Sequence, residues 1–222
     1  MYEDHFPTLP SGKLSIAQLT LYSWSFDFYA IRDLINYTKR NIEQLAKERL
    51  NQANENIENC IVFQNAMVEV EAVHRMEPYA YRSFIVTLYS IVEACLDSYC
   101  NMCQIEFGLK VGLSDFADKG ITRSINYLVK VVQIGDITSD NRWNKMKIVN
   151  KIRNDIVHRG GCVSDNKKLD LYRETFGIDT NGEDSYLYVM YENVIEIYKA
   201  CKEFVEFVLS KESPLPQVKN ET

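Results

Sequence analysis

The sequence is poor in the residues that interrupt regular secondary structure, with only 9 Gly and 5 Pro in 222 residues. This composition argues for long regular elements with few turns, and hence for helices rather than a β-sandwich. The sequence also lacks a run of about 18 apolar residues, so we expect no membrane-spanning helix. Its N-terminus has neither a basic start nor an apolar core. We therefore predict no secretory signal and a cytoplasmic location.

The sequence lacks the motifs that are typical of several enzyme classes. There is no Gly-rich phosphate loop, no Gly-x-Ser-x-Gly elbow and no Asp/Glu constellation with metal-ligand spacing. The six cysteines are expected to be reduced thiols in the predicted compartment. Cys100 and Cys103, with Cys95 nearby, could be half of a zinc site. A structural zinc needs four ligands, and the sequence offers no second Cys or His pair to complete the set. We interpret them as core side chains, and we predict no metal and no cofactor.

What the sequence does have is helical periodicity over most of its length, and 46% of its residues are hydrophobic. We predict an all-α protein, an up-and-down helical bundle with a long N-terminal helical extension. Within residues 13–212, taken as a single helical domain, the extension covers about 13–76. Residues 1–12 and 213–222 are predicted to be a flexible lead-in and a flexible tail.

Helix boundaries follow from caps and breakers. Up to about Glu58 the pattern indicates one long helix, or two with a break near residues 51–56. A second break is expected at Glu77–Pro78, which places Pro78 in the first turn of a helix that runs to about Phe107. Further helices are predicted at about 121–132, 140–159, 166–176 and 191–211. Residues 186–190 alternate between polar and apolar side chains, which fits either a short strand, alone or in a hairpin near 185–190, or an extended approach to the last helix.

The most informative stretch runs from Lys145 to Gly161. Its apolar residues recur at helical spacing and form one apolar stripe; they are Ile148, Val149, Ile152, Ile156 and Val157. Gly160 and Gly161 can take the positive φ that ends a helix. Asn154 and His158 are four residues apart, so they share a face of this helix.

Positive charge is concentrated around the same stretch. Residues 141–173 carry nine basic and three acidic side chains, although the whole chain has a net charge of −6. Lys147, Lys151 and Arg159 lie nearest to the motif. A solvated helix face and a phosphate-binding surface both fit this pattern.

The segment Arg153-Asn154-Asp155-Ile156-Val157-His158 closes an amphipathic helix in a chain predicted to be all-helical. It resembles the signature of the HEPN superfamily, an Arg followed after four residues by His, with a polar residue next to the Arg. Glu93, set in an apolar helix, resembles the polar partner that many such proteins provide for the Arg. The resemblance covers about residues 79–210 and is silent about the extension.

The resemblance implies a metal-independent endoribonuclease. His158 would act as general base or acid and Arg153 would stabilise the charge on the phosphorane. Asn154 would hold the imidazole or contact the phosphate, and Glu93 would support Arg153. Lys147, Lys151 and Arg159 would bind the RNA backbone. Because one chain supplies one motif histidine, the resemblance implies a homodimer with a composite site, and products with a 2′,3′-cyclic phosphate and a 5′-hydroxyl.

Two alternatives remain beside catalysis. HEPN-like domains also serve as non-catalytic modules that bind RNA, a nucleotide or a partner protein, and the chain could equally be a helical scaffold in which Arg153 pairs with Glu93 or Asp155. The sequence leaves open whether a toxin, phage-defence or RNA-processing role applies, and the resemblance implies an antitoxin or operon partner as an option. We expect an exposed His158 if the chain is an enzyme and a buried or remote one if it is a scaffold.

Overall fold

A computed structural model describes residues 14–55, 57–180 and 185–215. These residues form six α-helices and one small antiparallel hairpin. The helices are α1 (Ile16–Glu55), α2 (Cys60–Glu106), α3 (Gly120–Tyr127), α4 (Asn141–Arg159), α5 (Asn166–Phe176) and α6 (Tyr191–Leu209). The predicted all-α bundle is confirmed. The predicted lead-in and all of the predicted tail except 213–215 lie outside the described residues.

The hairpin pairs β1 (Asp179–Thr180) with β2 (Leu187–Tyr188). Two short helical turns complete the fold, a 3₁₀ turn at Leu113–Asp115 and a π turn at Leu128–Val132 that continues α3. The alternating stretch at 186–190 therefore contains a strand, as one of the two interpretations predicted.

The predicted break at Glu77–Pro78 is wrong, because α2 runs through Pro78 without interruption. A proline inside a helix lacks the N–H that would bond to the carbonyl four residues earlier. That carbonyl belongs to His74, which is exposed, so water can satisfy it. Val70 and Val73 before the proline and Tyr81 after it are all buried. Burial on both sides of Pro78 outweighs the local cost of the proline.

The observed bounds of α4 and α5 agree with those predicted from the sequence, because the residues that cap these helices lie next to their ends in the chain. The side chain of Asp140 accepts a hydrogen bond from the backbone N–H of Arg142 at 2.8 Å, at the start of α4. Asp165 caps α5 in the same way, accepting from Lys167 and Lys168. Gly177 ends α5 in the left-handed conformation, with φ at 67°.

The described residues divide into two compact units. The first contains Thr87–Asn150, the described part of the chain before Ala30, and the described part from Tyr198 onward. In its core the ring of Trp143 stacks on that of Phe204, with 5.8 Å between centroids. The second unit contains Ala30–Val86 and Lys151–Ile197. The prediction of a single domain with a HEPN-like core at about 79–210 stays a prediction.

Among the described residues, α2 alone is long and apolar enough to cross a membrane by length and composition. Half of its most apolar 18-residue window is buried. Core helices of globular proteins meet the same criterion, so the expectation that no helix spans a membrane stays a prediction.

Candidate functional site

The buried side of α4 winds around the helix. Its buried residues recur every three positions, at Trp143, Met146, Val149, Ile152 and Asp155. Each such step turns the buried side by about 60°, because three residues fall short of a full 3.6-residue turn. The stripe therefore arrives at Asp155, and Val157 is 47% exposed. Within the apolar stripe identified from the sequence, Val149 and Ile152 are buried, and Ile148 and Ile156 are partly buried.

Asp155 is the acidic centre of the motif segment and is only 2% exposed. One carboxylate oxygen accepts a hydrogen bond from Lys168 Nζ at 2.6 Å, and the other accepts from the Tyr172 hydroxyl at 2.7 Å. Burial, and then the hydrogen bond to Asp155, raises the pKa of Tyr172 above its usual range, so its hydroxyl keeps the donated proton. Arg159 lies at the edge of this cluster, with Nε 3.9 Å from Asp155 Oδ1. The carboxylate is therefore satisfied inside the fold.

Helix α5 supplies the partners of Asp155. Lys168 and Tyr172 are four residues apart on α5, so they lie on one face and reach the same carboxylate. The cap at Asp165 fixes where α5 begins and hence which residues face α4. This cluster was not predicted from the sequence. A signal was present, since Asp155 continues the three-residue spacing of the buried residues before it.

The candidate catalytic residues lie on other sides of the same turns. Arg153 is partly buried, and its Nη1 donates a hydrogen bond to Asn154 Oδ1 at 2.9 Å. His158 is exposed, one helical turn beyond Asn154. Among the described residues His158 makes no hydrogen bond or ion pair. Asn154 thus orients the guanidinium, and the roles predicted for it toward His158 or the phosphate stay predictions.

The basic residues predicted to bind RNA are on the surface. Lys147, Lys151 and Arg159 are all exposed, and the Arg159 side chain keeps 58% of its surface despite its approach to Asp155. Glu93 is partly buried in the first unit, and a Cβ at Gly120 would lie 3.7 Å from its Oε1. Arg153 belongs to the second unit. The predicted support of Arg153 by Glu93 therefore stays a prediction.

The end of α4 is fixed by two glycines. Gly160 and Gly161 have φ of 62° and 89°, and the N–H of Gly161 donates to the carbonyl of Asp155 at 2.9 Å. Arg82 of α2, only 8% exposed, donates from Nη1 to the carbonyl of Gly160 at 2.9 Å. The N–H of Leu187 donates to the carbonyl of Gly161 at 2.8 Å. The turn that follows His158 is thus held by α2 and by the hairpin, contacts that no local sequence pattern indicated.

The arrangement presents a titratable imidazole and a permanently charged guanidinium at the end of one helix. An imidazole can donate or accept a proton near neutral pH, and a guanidinium can bind two phosphate oxygens. Within the described residues no group of three or more His, Cys, Asp or Glu could hold a metal ion. No family model, curated protein or solved structure matches this chain.

Proposed function

We propose that this protein is a metal-independent endoribonuclease of the HEPN kind. The observation that carries the proposal is the position of His158, which is exposed at the end of α4 with no described partner, one turn from the Asn154–Arg153 pair. In a scaffold we expected this histidine to be buried or remote, and His158 is not buried. An exposed imidazole on the same helix end as an oriented guanidinium is instead suited to act on a phosphodiester.

The reaction requires little more than these groups. A base removes the proton of the 2′-hydroxyl, the 2′-oxygen forms a bond to phosphorus, and the bond from phosphorus to the 5′-oxygen breaks. An acid protonates the departing 5′-oxygen, so the products are a 2′,3′-cyclic phosphate and a 5′-hydroxyl. His158 serves as one of the two proton-transfer groups, and Arg153 stabilises the charge on the phosphorane.

One chain carries one histidine in the motif, so the proposal includes a second copy of the chain. Two α4 ends that face each other across a twofold axis would supply both the acid and the base. Lys147, Lys151 and Arg159, all exposed, would bind phosphates on either side of the bond that breaks. A toxin or phage-defence role, with an antitoxin encoded in the same operon, is the biological setting that this chemistry would fit.

One observation favours a second candidate function, a module that binds RNA or nucleotides without cleaving them. Arg153 is partly buried, and its Nη1 is already bonded to Asn154. A guanidinium held in this way can bind the phosphate equally tightly in the ground state and in the transition state. Such uniform binding gives affinity for RNA without rate acceleration. The cleavage experiment separates the two functions.

The test is incubation of the purified protein with a mixed pool of RNA in EDTA. We expect the wild type to cleave and His158→Ala to be inactive, because the substitution removes a proton-transfer group and leaves the fold intact. His74→Ala is the matched control, since His74 is also an exposed helical histidine. Arg153→Ala is compared with Arg40→Ala in the same way, because Arg40 is an exposed arginine on α1.

The product ends identify the chemistry. A 5′-hydroxyl accepts phosphate from a polynucleotide kinase without prior dephosphorylation, and a 2′,3′-cyclic phosphate resists phosphatase until it is opened by acid. Cleavage that survives in purified His158→Ala would refute the catalytic assignment. A folded, dimeric wild type that binds RNA and never cleaves it would support the binding module.

A further inference from the structure

A second surface feature lies beside the end of α4. It is an open cavity of about 360 Å³ in the second unit, between the part of α2 around Pro78 and the β2 side of the hairpin. Its lining includes the rings of Tyr79, Tyr186 and Tyr188 and the carbonyl-bearing turn at Gly160. Gly160 is two residues beyond His158, so the cavity and the candidate catalytic residue belong to the same short stretch of chain.

The three tyrosines are unusually exposed for residues that share one cavity. Tyr79 is 69% exposed, Tyr186 48% and Tyr188 39%. Large rings normally bury most of their surface, and several exposed rings around one concave site are a mark of ligand binding. Flat rings of this kind stack with nucleobases, because every base has a π face.

Arginine side chains give the cavity its charge. Arg82 lies over the ring of Tyr79, with Cζ 4.6 Å from the ring centroid, and is 8% exposed. Its Nε donates to the carbonyl of Pro78 at 3.1 Å and its Nη1 to that of Gly160 at 2.9 Å. These bonds fix the guanidinium, and among the described residues they leave its Nη2 donors unused. Arg75, at the rim, adds an exposed positive charge that is partly offset by Glu71 at 3.0 Å.

From these contacts we propose that the cavity is a base-stacking subsite for single-stranded RNA. One unpaired base stacks on Tyr79 or Tyr186, while Arg82 and Arg75 bind the base edge or the adjoining phosphate. Arg82 also donates to the carbonyl of Gly160. Gly160 lines the cavity and follows His158 by two residues, so the subsite adjoins the end of α4. The proposal deepens the proposed function and rests on it for the nature of the substrate.

The subsite predicts a substrate preference that the Arg–His pair alone does not. A guanidinium and an imidazole recognise a phosphodiester in any RNA, paired or unpaired. A ring that must stack on an exposed base face accepts only a base that has left its helix. We therefore expect single-stranded RNA to bind more tightly than a duplex of the same length.

The test measures binding separately from cleavage. All variants are made in a His158→Ala background, and their affinity for a fluorescein-labelled 12-nucleotide single-stranded RNA is followed by anisotropy in EDTA. We expect Tyr79→Leu to weaken binding about 5-fold to 150-fold, the range found for loss of one base–aromatic stack. Tyr79→Phe keeps the ring, so its Kd for the RNA should stay within about twofold of that of the parent protein, which carries His158→Ala alone.

Tyr37→Leu is the matched control. Tyr37 is a tyrosine of the same unit, 59% exposed on α1 and outside the cavity. A second probe replaces the bases of the oligonucleotide by abasic residues and leaves the phosphates in place. The parent should prefer the RNA to the abasic strand, and Tyr79→Leu should lose most of that preference. Equal affinities of Tyr79→Leu and Tyr37→Leu for RNA, or equal affinity of the parent for both strands, would overturn the subsite.

The two proposals can fail separately. Cleavage by the wild type that depends on His158 but is unaffected by Tyr79→Leu, together with unchanged binding, leaves the nuclease and removes the subsite. Base-dependent binding through Tyr79 by a wild type that never cleaves removes the nuclease and leaves the subsite as part of a binding module. No measurable binding of either strand overturns the subsite directly.

Discussion

Two polar residues in the last turns of α4, Asp155 and His158, differ sharply in their burial and in their hydrogen bonds. Asp155 is 2% exposed, and both its carboxylate oxygens accept short hydrogen bonds, from Lys168 and Tyr172. His158 stands three residues later, exposed and without a described partner. The same six-residue motif therefore contains one polar side chain that the fold itself uses and one that it leaves to solvent or ligand.

The difference separates stability from function along one helix. A buried carboxylate is tolerated only when its oxygens are paired, so Asp155 and its partners form a unit that the fold depends on. An exposed side chain without packing contacts contributes little to folding, within about 0.5 kcal/mol. His158 is therefore a better functional candidate than Asp155, because the fold does not need its side chain and an imidazole can transfer protons.

The largest effect is expected from His158→Ala, and only on activity. Removal of a general acid or base typically slows a reaction by about 10²-fold to 10⁴-fold. The free energy of unfolding should change by less than about 0.5 kcal/mol, because His158 is exposed. Cleavage rates with labelled RNA and urea unfolding give both quantities. A His158→Ala protein that loses both stability and activity would mean that the histidine belongs to the fold.

The reverse pattern is expected from Asp155→Ala. The substitution leaves Tyr172 OH and Lys168 Nζ without their acceptor in a site where the carboxylate is 2% exposed. We expect a loss of about 3 kcal/mol in the free energy of unfolding, since the partners of a buried charge lose their bonds. Asp155→Asn keeps an oxygen for Tyr172 and should lose less. Urea unfolding that shows both variants as stable as wild type would refute the structural role of this cluster.

The two glycines after α4 allow a finer version of the comparison. Both have positive φ, which costs about 1 kcal/mol for alanine, and a Cβ at Gly160 meets nothing within 4 Å. A Cβ at Gly161 would lie 2.7 Å from Nη1 of Arg82, whose buried guanidinium donates from Nε and Nη1 to two carbonyls. We expect Gly160→Ala to cost about 1 kcal/mol and Gly161→Ala about 2–3 kcal/mol in urea unfolding, because only the second displaces Arg82. Equal costs would mean that Arg82 moves aside freely.

Much of this architecture was predictable because its signals are local. The bounds of α4 and α5 follow from capping side chains at Asp140 and Asp165 and from glycines that take positive φ. Helical periodicity was equally sufficient for the all-α fold. Pro78 misled the prediction, since a local preference for a helix start was outweighed by burial on both sides of it.

The surroundings of the candidate site were not predictable, because they depend on contacts between distant segments. Asp155 meets Lys168 and Tyr172 across a loop, and Arg82 reaches Gly160 from 78 residues away. No pattern within α4 shows which of its polar residues will be covered. The motif identified the residues, and only the packing distinguished the buried Asp155 from the exposed His158.

The smallest effect is expected at the other end of α4, where Asp140 is partly exposed. Its hydrogen bonds with the Arg142 side chain and backbone lower the pKa of Asp140 from 3.8 to about 2. A carboxyl whose pKa is lower in the folded protein stabilises the fold above its unfolded pKa, and this contribution is lost as pH falls through the folded pKa. The stability difference between wild type and Asp140→Asn should therefore be constant above about pH 5 and shrink between about pH 4 and pH 2. Urea unfolding of both proteins across that range measures the difference, and a gap that does not change with pH would mean that the ionised form of Asp140 is not what stabilises α4. Because the partner arginine is itself well solvated, with 40% of its side chain exposed, the gap should remain far smaller than the loss expected at Asp155, where the same kind of side chain is closed off from water.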